Sequence, residues 1–249
     1  MSGIDAMPAA RRTWTGRALL AAVAVFAAGC SSQHGGSALP PVSPAPAPSS
    51  VTAAPLTDSA ALQAKLLSGT DIPPDYQALD DGSGGGGAPT TTAPDRSHTD
   101  PAACAKVLDA VNDQVPGASA HGAVHYSTAG FDSIDIDAAS YPSAKAAEAF
   151  GAVQDLLHRC GSYSGTDADG TSVSYQVGGL DEPRAGDASV SFQVRTSSQG
   201  LTLYSAATVA LVGSTVVQIA RAGQKPVDPA ALRSITGTQI QRLQGISGP

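Results

Sequence analysis

Residues 188–221 read ASVSFQVRTSSQGLTLYSAATVALVGSTVVQIAR. Three strand-like runs are punctuated by two short turns. The runs are Ala188–Thr196, Leu201–Leu211 and Thr215–Arg221, and the turns are Gln199-Gly200 and Gly213-Ser214. Val190, Phe192 and Val194 alternate with Ser189, Ser191, Gln193 and Arg195, the period of a strand with one apolar and one wet face. Connections this short allow only antiparallel pairing.

Working outward, Thr171–Val177 predicts a further strand, ended by Gly178-Gly179. Upstream, Ala118–Ser127 and Phe131–Ala139 predict a hairpin turned at Thr128-Ala129-Gly130, in which Ile134, Ile136 and Ala138 alternate with Ser133, Asp135 and Asp137. Between these blocks, Ala146, Phe150, Val153, Leu157 and Cys160 recur at helical spacing and predict a helix over Ser143–Arg159. Asp228-Pro229 opens a closing helix through Leu232, Ile235 and Leu243. Asp100-Pro101 has the same chemistry and predicts a helix with Cys104, Val107, Leu108 and Val111 on one face. Thr57 or Asp58 caps a helix running to about Leu67. Thr70–Tyr76 reads as an extended entry segment, because Pro73 and Pro74 forbid a helix. The expected fold class is α+β: a single antiparallel β-sheet of five or six strands with three or four flanking helices and one disulfide.

The N-terminal quarter is of another kind. Ala18–Ala28 is an apolar run of 11 residues behind Arg11, Arg12 and Arg17. A spanning helix needs about 20 residues, so the run reads as the core of an export signal. Ala27-Ala28-Gly29-Cys30 resembles a lipobox, with Ala27 where Leu is typical. The resemblance implies cleavage before Cys30 and an acyl (diacylglyceryl, palmitate-type) anchor on its sulfur. An ordinary secretion signal cleaved near Ala28 is the alternative. Paired acyl chains hold a protein stably on a bilayer where one is marginal. The expected organisation is a lipoprotein signal peptide over 1–29, a Pro/Ser/Ala-rich tether over 30–55 and a globular domain over 56–249. Its residues 80–98, with four consecutive glycines at 84–87, form a flexible loop. As a coil the tether would span roughly 25–30 Å.

The formal net charge is −7, and losing the leader removes three arginines against one acid, Asp5. Such a surface is repelled by phosphate backbones, so no nucleic-acid partner is expected. With Cys30 committed to lipid, Cys104 and Cys160 remain in an oxidising compartment, where two is the number one disulfide needs. Two buried thiols or half a metal site are the rival readings. The spacing lacks the close cysteines and matched histidines of a zinc site.

Chemistry-bearing motifs are few, and no catalytic, metal or cofactor site is expected. His121 and His125 lie about 13 Å apart along a strand, too far to share a metal. Asp132, Asp135 and Asp137 read as a solvated strand face. Asp167-Ala168-Asp169-Gly170 starts like a calcium loop but has no distal Glu, which favours a hairpin turn. Gly161-Ser162-Tyr163-Ser164-Gly165 has Tyr where a nucleophile elbow needs Ser. Asp181-Glu182-Pro183-Arg184 is a charged connection in which Asp and Arg are expected to pair across the turn. Arg195 and Arg221, on late strands, are the candidate ligand-contacting pair.

A lipobox and Pro-rich tether come first, then Leu66-Leu67-Ser68-Gly69-Thr70-Asp71-Ile72-Pro73 with Tyr76 and a Gly-rich loop. Helices bearing Cys104 and Cys160 follow, then Gly186-Asp187 before a strand, and Val216–Arg221 before a closing helix. This arrangement resembles actinobacterial, mycobacterial-type cell-envelope lipoproteins and is similar to the extracellular sensor domain of PknH-type kinases. The resemblance implies an antiparallel sheet with flanking helices around a cleft. Two disulfides are typical there, and this chain has cysteines for one. No catalytic residue is implied. The expected function is therefore a non-enzymatic, lipid-anchored binding or sensor-like module on the extracytoplasmic face of the cell membrane. Its partners would be the membrane and an envelope protein, lipid or glycan. The alternatives are a carrier of envelope lipids or glycolipids in an apolar cavity, and a secreted serine hydrolase.

Overall fold

The structure is a computed structural model that describes residues 38–49, 51–79 and 97–246. Residues 1–29, read from sequence as an export signal, Cys30 and most of the Gly-rich stretch 80–98 lie outside the described residues. The last residue of that stretch, His98, already begins a strand.

Nine antiparallel strands form one sheet. They are β1 (Gln77–Ala78), β2 (His98–Asp100), β3 (Ala120–Ser127), β4 (Ser133–Ser140), β5 (Ser162–Thr166), β6 (Ser172–Gly179), β7 (Ala188–Ser198), β8 (Leu201–Val212) and β9 (Thr215–Gly223). Their spatial order is β1-β3-β4-β9-β8-β7-β6-β5-β2. The six strands expected from sequence are present and form the centre of the sheet. The three additional ones, β1, β2 and β5, are edge or near-edge strands of two to five residues with no apolar alternation. Very short edge strands suit a sheet whose unpaired edge would invite other chains. Gly165 on β5 lets β2 approach, since a Cβ there would strike the His98 carbonyl. The turn at Gln199-Gly200 has φ of 50° and 81°, the left-handed pair that matches strand twist in a two-residue hairpin.

The helices are α1 (Ser59–Gln63), a 3₁₀ segment (Ala102–Leu108), α2 (Val111–Gln114), α3 (Ser143–Arg159) and α4 (Pro229–Leu243). Five helical segments replace the three or four expected. The helix expected from Asp100 is in fact two short pieces. Asp100 is not its cap, because it is paired in β2 opposite Ser164. At three residues per turn Cys104 and Val107 share the buried face, whereas Leu108 is turned out and 40% exposed. In α1 and α4 the expected caps are present: the Asp58 and Asp228 carboxylates accept from the N–H of Ala60 and Ala230.

Both faces of the sheet are covered. On one, Phe192, Val209, Leu211 and Val216 pack under Phe150, Val153 and Leu157 of α3. Cys104 and Cys160 join the 3₁₀ segment to the end of α3 on this side, as a disulfide with Cα atoms 5.6 Å apart. On the other, Ile134, Ile136, Val217 and Ile219 pack under Leu62 and Leu66 beside α1 and under Leu232 and Ile235 of α4.

Residues 39–49 and 51–55, read from composition as the end of a tether, lie along the domain as a strap. The Gly179 N–H donates to the Pro40 carbonyl at 2.7 Å, where β6 has outrun β5. Gly178 and Gly179 leave room for this approach. Val42 enters the α3 core. The Gln154 amide of α3 clamps Ala45 from both sides, accepting from its N–H at 2.6 Å and donating to its carbonyl at 3.0 Å. Ser143 and Ser214 donate to the carbonyls of Ala53 and Ala54, and the Leu56 N–H donates to Ser140. Pro-rich chain is already extended and loses little entropy on docking, so backbone hydrogen bonds and one buried Val suffice.

Gln154→Ala removes both partners of Ala45, at a cost of about 1–3 kcal/mol. The strap amide of Ala45 is expected to exchange at least tenfold faster while α3 stays protected. Unchanged exchange at Ala45 would show that the clamp does not hold the strap.

Candidate functional site

The connection between β6 and β7, residues 180–187, is charged yet firmly held. The Asp187 carboxylate accepts from the Gly213 N–H at 2.7 Å, and the Asp187 N–H donates to the Leu211 carbonyl at 2.8 Å. The Ala185 N–H donates to the Ser189 hydroxyl at 2.8 Å. Gly186 takes φ of 61° against the Leu211 carbonyl. The expected pairing of Asp and Arg within the turn is not what anchors it. Glu182 instead reaches α4, where Arg233 Nε donates to its Oε2 at 2.8 Å.

Three surface cavities meet at this connection, and Arg184 lines all of them. One of about 440 Å³ lies between the strap at Pro40–Pro46 and β7 at Ala188–Ser191. A second of about 320 Å³ lies under α4, lined by Glu182, Arg184, Thr208, Arg233, Thr236 and Ile240 among others. A third of about 520 Å³ is lined by Pro48, Val51, Ala53, Asp187 and Gly213 among others. The Glu182 side chain is 3% exposed and that of Arg233 53%. Glu182 Oε1 and Thr236 Oγ1 are buried with no hydrogen-bond partner among the described residues. Residue pattern alone does not mark this site. Glu182 stood in a turn and Thr236 in an amphipathic helix, and only the fold brings them together.

The sequence-stated candidates lie elsewhere. Arg195 and Arg221 share the α4-side face but are separated by β8, since Arg195 is opposite Tyr204 and Arg221 opposite Ala206. Arg221 donates to the Tyr76 hydroxyl at 2.9 Å and stands over its ring. Arg195 lines a small hollow of about 60 Å³ with Tyr204 and Val227. His125 meets Asp135 at 2.9 Å, and Ser133 donates to the other oxygen of Asp135 at 2.8 Å. The acid thus stands between Ser133 and His125, the wrong order for a histidine to activate a serine. The Asp167 carboxylate accepts from the N–H of Asp169 and Thr171, so the motif is the expected hairpin turn. No group of three metal-ligating side chains occurs among the described residues.

Asp137 departs from its expected place on a wet strand face. It is 7% exposed, because α2 covers the end of β4. Its carboxyl accepts from the Val111 N–H at 2.5 Å and faces the Gln218 amide at 3.5 Å. Gln218 also donates to the Asp109 carbonyl and accepts from Gln114. Burial pushes the Asp137 pKa up from 3.8 to about 7, with Asp135 adding to it and Val111, His125 and Gln218 opposing. Asp71 moves the other way. Partial burial opposes its ionisation, but Ser68 and Arg242 outweigh that and hold its pKa below the usual value.

The PknH-like extracellular domain profile matches residues 57–240. The chain belongs to this family. The crystal structure of the extracellular domain of PknH from Mycobacterium tuberculosis superposes with a TM-score of 0.57 at 14% identity, covering 77% of this chain and 98% of that one. At that identity it supports the shared fold alone. A putative uncharacterized protein from Mycobacterium smegmatis matches at 15% identity and a TM-score of 0.38, over 76% of this chain and 97% of that one. No curated protein matches the chain. Membership in an extracellular-domain family fits an extracytoplasmic location. Among the described residues no helix is long and apolar enough to cross a membrane.

A carboxyl whose pKa is raised on folding binds its proton more tightly in the folded chain. Its contribution is therefore full below about pH 4 and is lost as pH rises to about 7. Asp137→Asn is expected to abolish that slope, with a difference on the order of 4 kcal/mol between acidic and neutral pH relative to wild type. Denaturant titrations of both proteins across this range test it. Parallel pH profiles would contradict the assignment.

Proposed function

We propose that this protein is a lipid-anchored, extracytoplasmic, non-enzymatic binding module of sensor type. It would take up a small polar ligand at the β6–β7 connection. The observation that carries the reading is the convergence of three cavities on a charged but rigid turn in a PknH-like extracellular domain. A turn fixed by Asp187, Ser189 and Arg233 presents its polar groups preorganised, which lowers the entropy cost of binding. Charged and hydroxyl-bearing walls suit a polar ligand better than an acyl chain, so the carrier reading is the weaker one.

The anchor would be the acylated Cys30. Only eight residues separate Cys30 from Leu39, where the strap begins, and a chain of that length reaches at most about 30 Å. The strap thus limits the reach that a free tether would have given, and the domain would work close to the bilayer surface.

Two measurements test the proposal. Labelled palmitate is expected to enter the wild-type protein and not Cys30→Ala, which should be released from membranes. Label retained by Cys30→Ala would contradict the anchor. Native mass spectrometry of the protein recovered from envelope extract is expected to show a small ligand that Arg184→Ala and Arg233→Ala lose. A ligand retained equally by both variants, or none at all, would sink the binding-module reading.

A further inference from the structure

Two residues that line the cavity under α4, Glu182 and Thr236, each hold a buried polar atom that the protein leaves unsatisfied. Glu182 Oε1 is a carboxylate acceptor, and Thr236 Oγ1 is a hydroxyl that both donates and accepts. Buried polar atoms in native folds are almost always paired, with protein or with something the protein binds. Thr236 is mid-helix, where its hydroxyl ordinarily bonds back to the preceding turn, and here it does not. Both residues line the same space, which at about 320 Å³ is of the size of a small polar molecule.

The charges around it narrow the class. A cation would meet Glu182 but face the guanidinium groups of Arg184 and Arg233. An anion would meet the arginines but face Glu182, whose other oxygen Arg233 already holds. A neutral ligand rich in hydroxyls satisfies an acceptor and a donor–acceptor side by side without either conflict. Ile240 offers an apolar wall for the ring carbons of such a molecule, and Gln241 and Gln244 add amides at the rim.

From the unsatisfied pair and this charge balance we infer that the cavity under α4 is a binding site for one sugar unit. Glu182 and Thr236 contact its hydroxyl groups. The inference rests on the binding-module reading and names its ligand class. The site is separate from Arg195 and Arg221, which line neither this cavity nor the two beside it.

The test is calorimetric titration of the purified full-length protein with the methyl glycosides of glucose, galactose and mannose. Inorganic phosphate and ethanolamine serve as the anionic and cationic probes. At least one glycoside is expected to bind, while phosphate and ethanolamine do not. Thr236→Val keeps the side-chain shape and removes only an unpartnered hydroxyl, so it should fold with an equal or higher Tm and bind the glycoside about tenfold or more weakly. Glu182→Gln should weaken it comparably, with phosphate still excluded. Binding by none of the glycosides, equal binding by both variants, or a Thr236→Val defect seen only with phosphate or ethanolamine would overturn the sugar assignment. If the protein from envelope extract still carries a ligand of another class, the sugar assignment alone falls. If it carries none, the binding-module reading falls with it.

Discussion

Strands β8 and β9 are buried on both faces, over Ala206–Leu211 and Val216–Ala220. Every other layer follows from this. A strand apolar on alternate residues needs one cover, whereas these need two, and the chain supplies α3 on one side and α1 with α4 on the other. Two-sided burial also dictates what polar groups in the sheet must do. Gln218 lies in the middle of β9, and its amide is engaged by Asp109, Gln114 and Asp137, because an unpaired amide there would cost more than the hydrogen bonds give. Asp137 is drawn into the same network and becomes a group that titrates near neutrality.

The same constraint leaves little of the sheet open to ligands. Binding chemistry is pushed to the ends of the strands, where connections run past the covering helices. The β6–β7 connection is such a place. It is fixed by the neighbouring β8–β9 turn through Asp187 and by α4 through Glu182. The strap closes the other side, adding Pro40 to the open end of β6 and wrapping past Gln154 to the β8–β9 turn. The strap thus supplies one wall of the candidate site.

Much of the framework was legible from residue pattern. The Gln199-Gly200 and Gly213-Ser214 turns set the antiparallel order, and the spacing of Ala146, Phe150, Val153 and Leu157 placed α3 and its buried face. Cysteine number and compartment paired Cys104 with Cys160. What stayed hidden depended on long-range partners. β1, β2 and β5 have no periodicity because edges carry polar residues on both sides. The side chain of Asp137 looks outward by alternation, and only the arrival of α2 buries it. The strap has a linker's composition, and it docks through backbone groups that composition does not reveal. Glu182 and Thr236, 54 positions apart in the chain, become neighbours in one cavity only once α4 packs on β8.

In the proposed function, ligand is taken up where α4 meets the β6–β7 connection. Amide hydrogen exchange of the full-length protein, before and after exposure to envelope extract, measures it most directly. Uptake there would add protection over residues 181–187 and in α4 around Arg233–Gln241, with the centre of β8 and β9 unchanged. Protection confined to another surface, such as the exposed side of α3 or the Leu201–Leu203 end of β8, would contradict it.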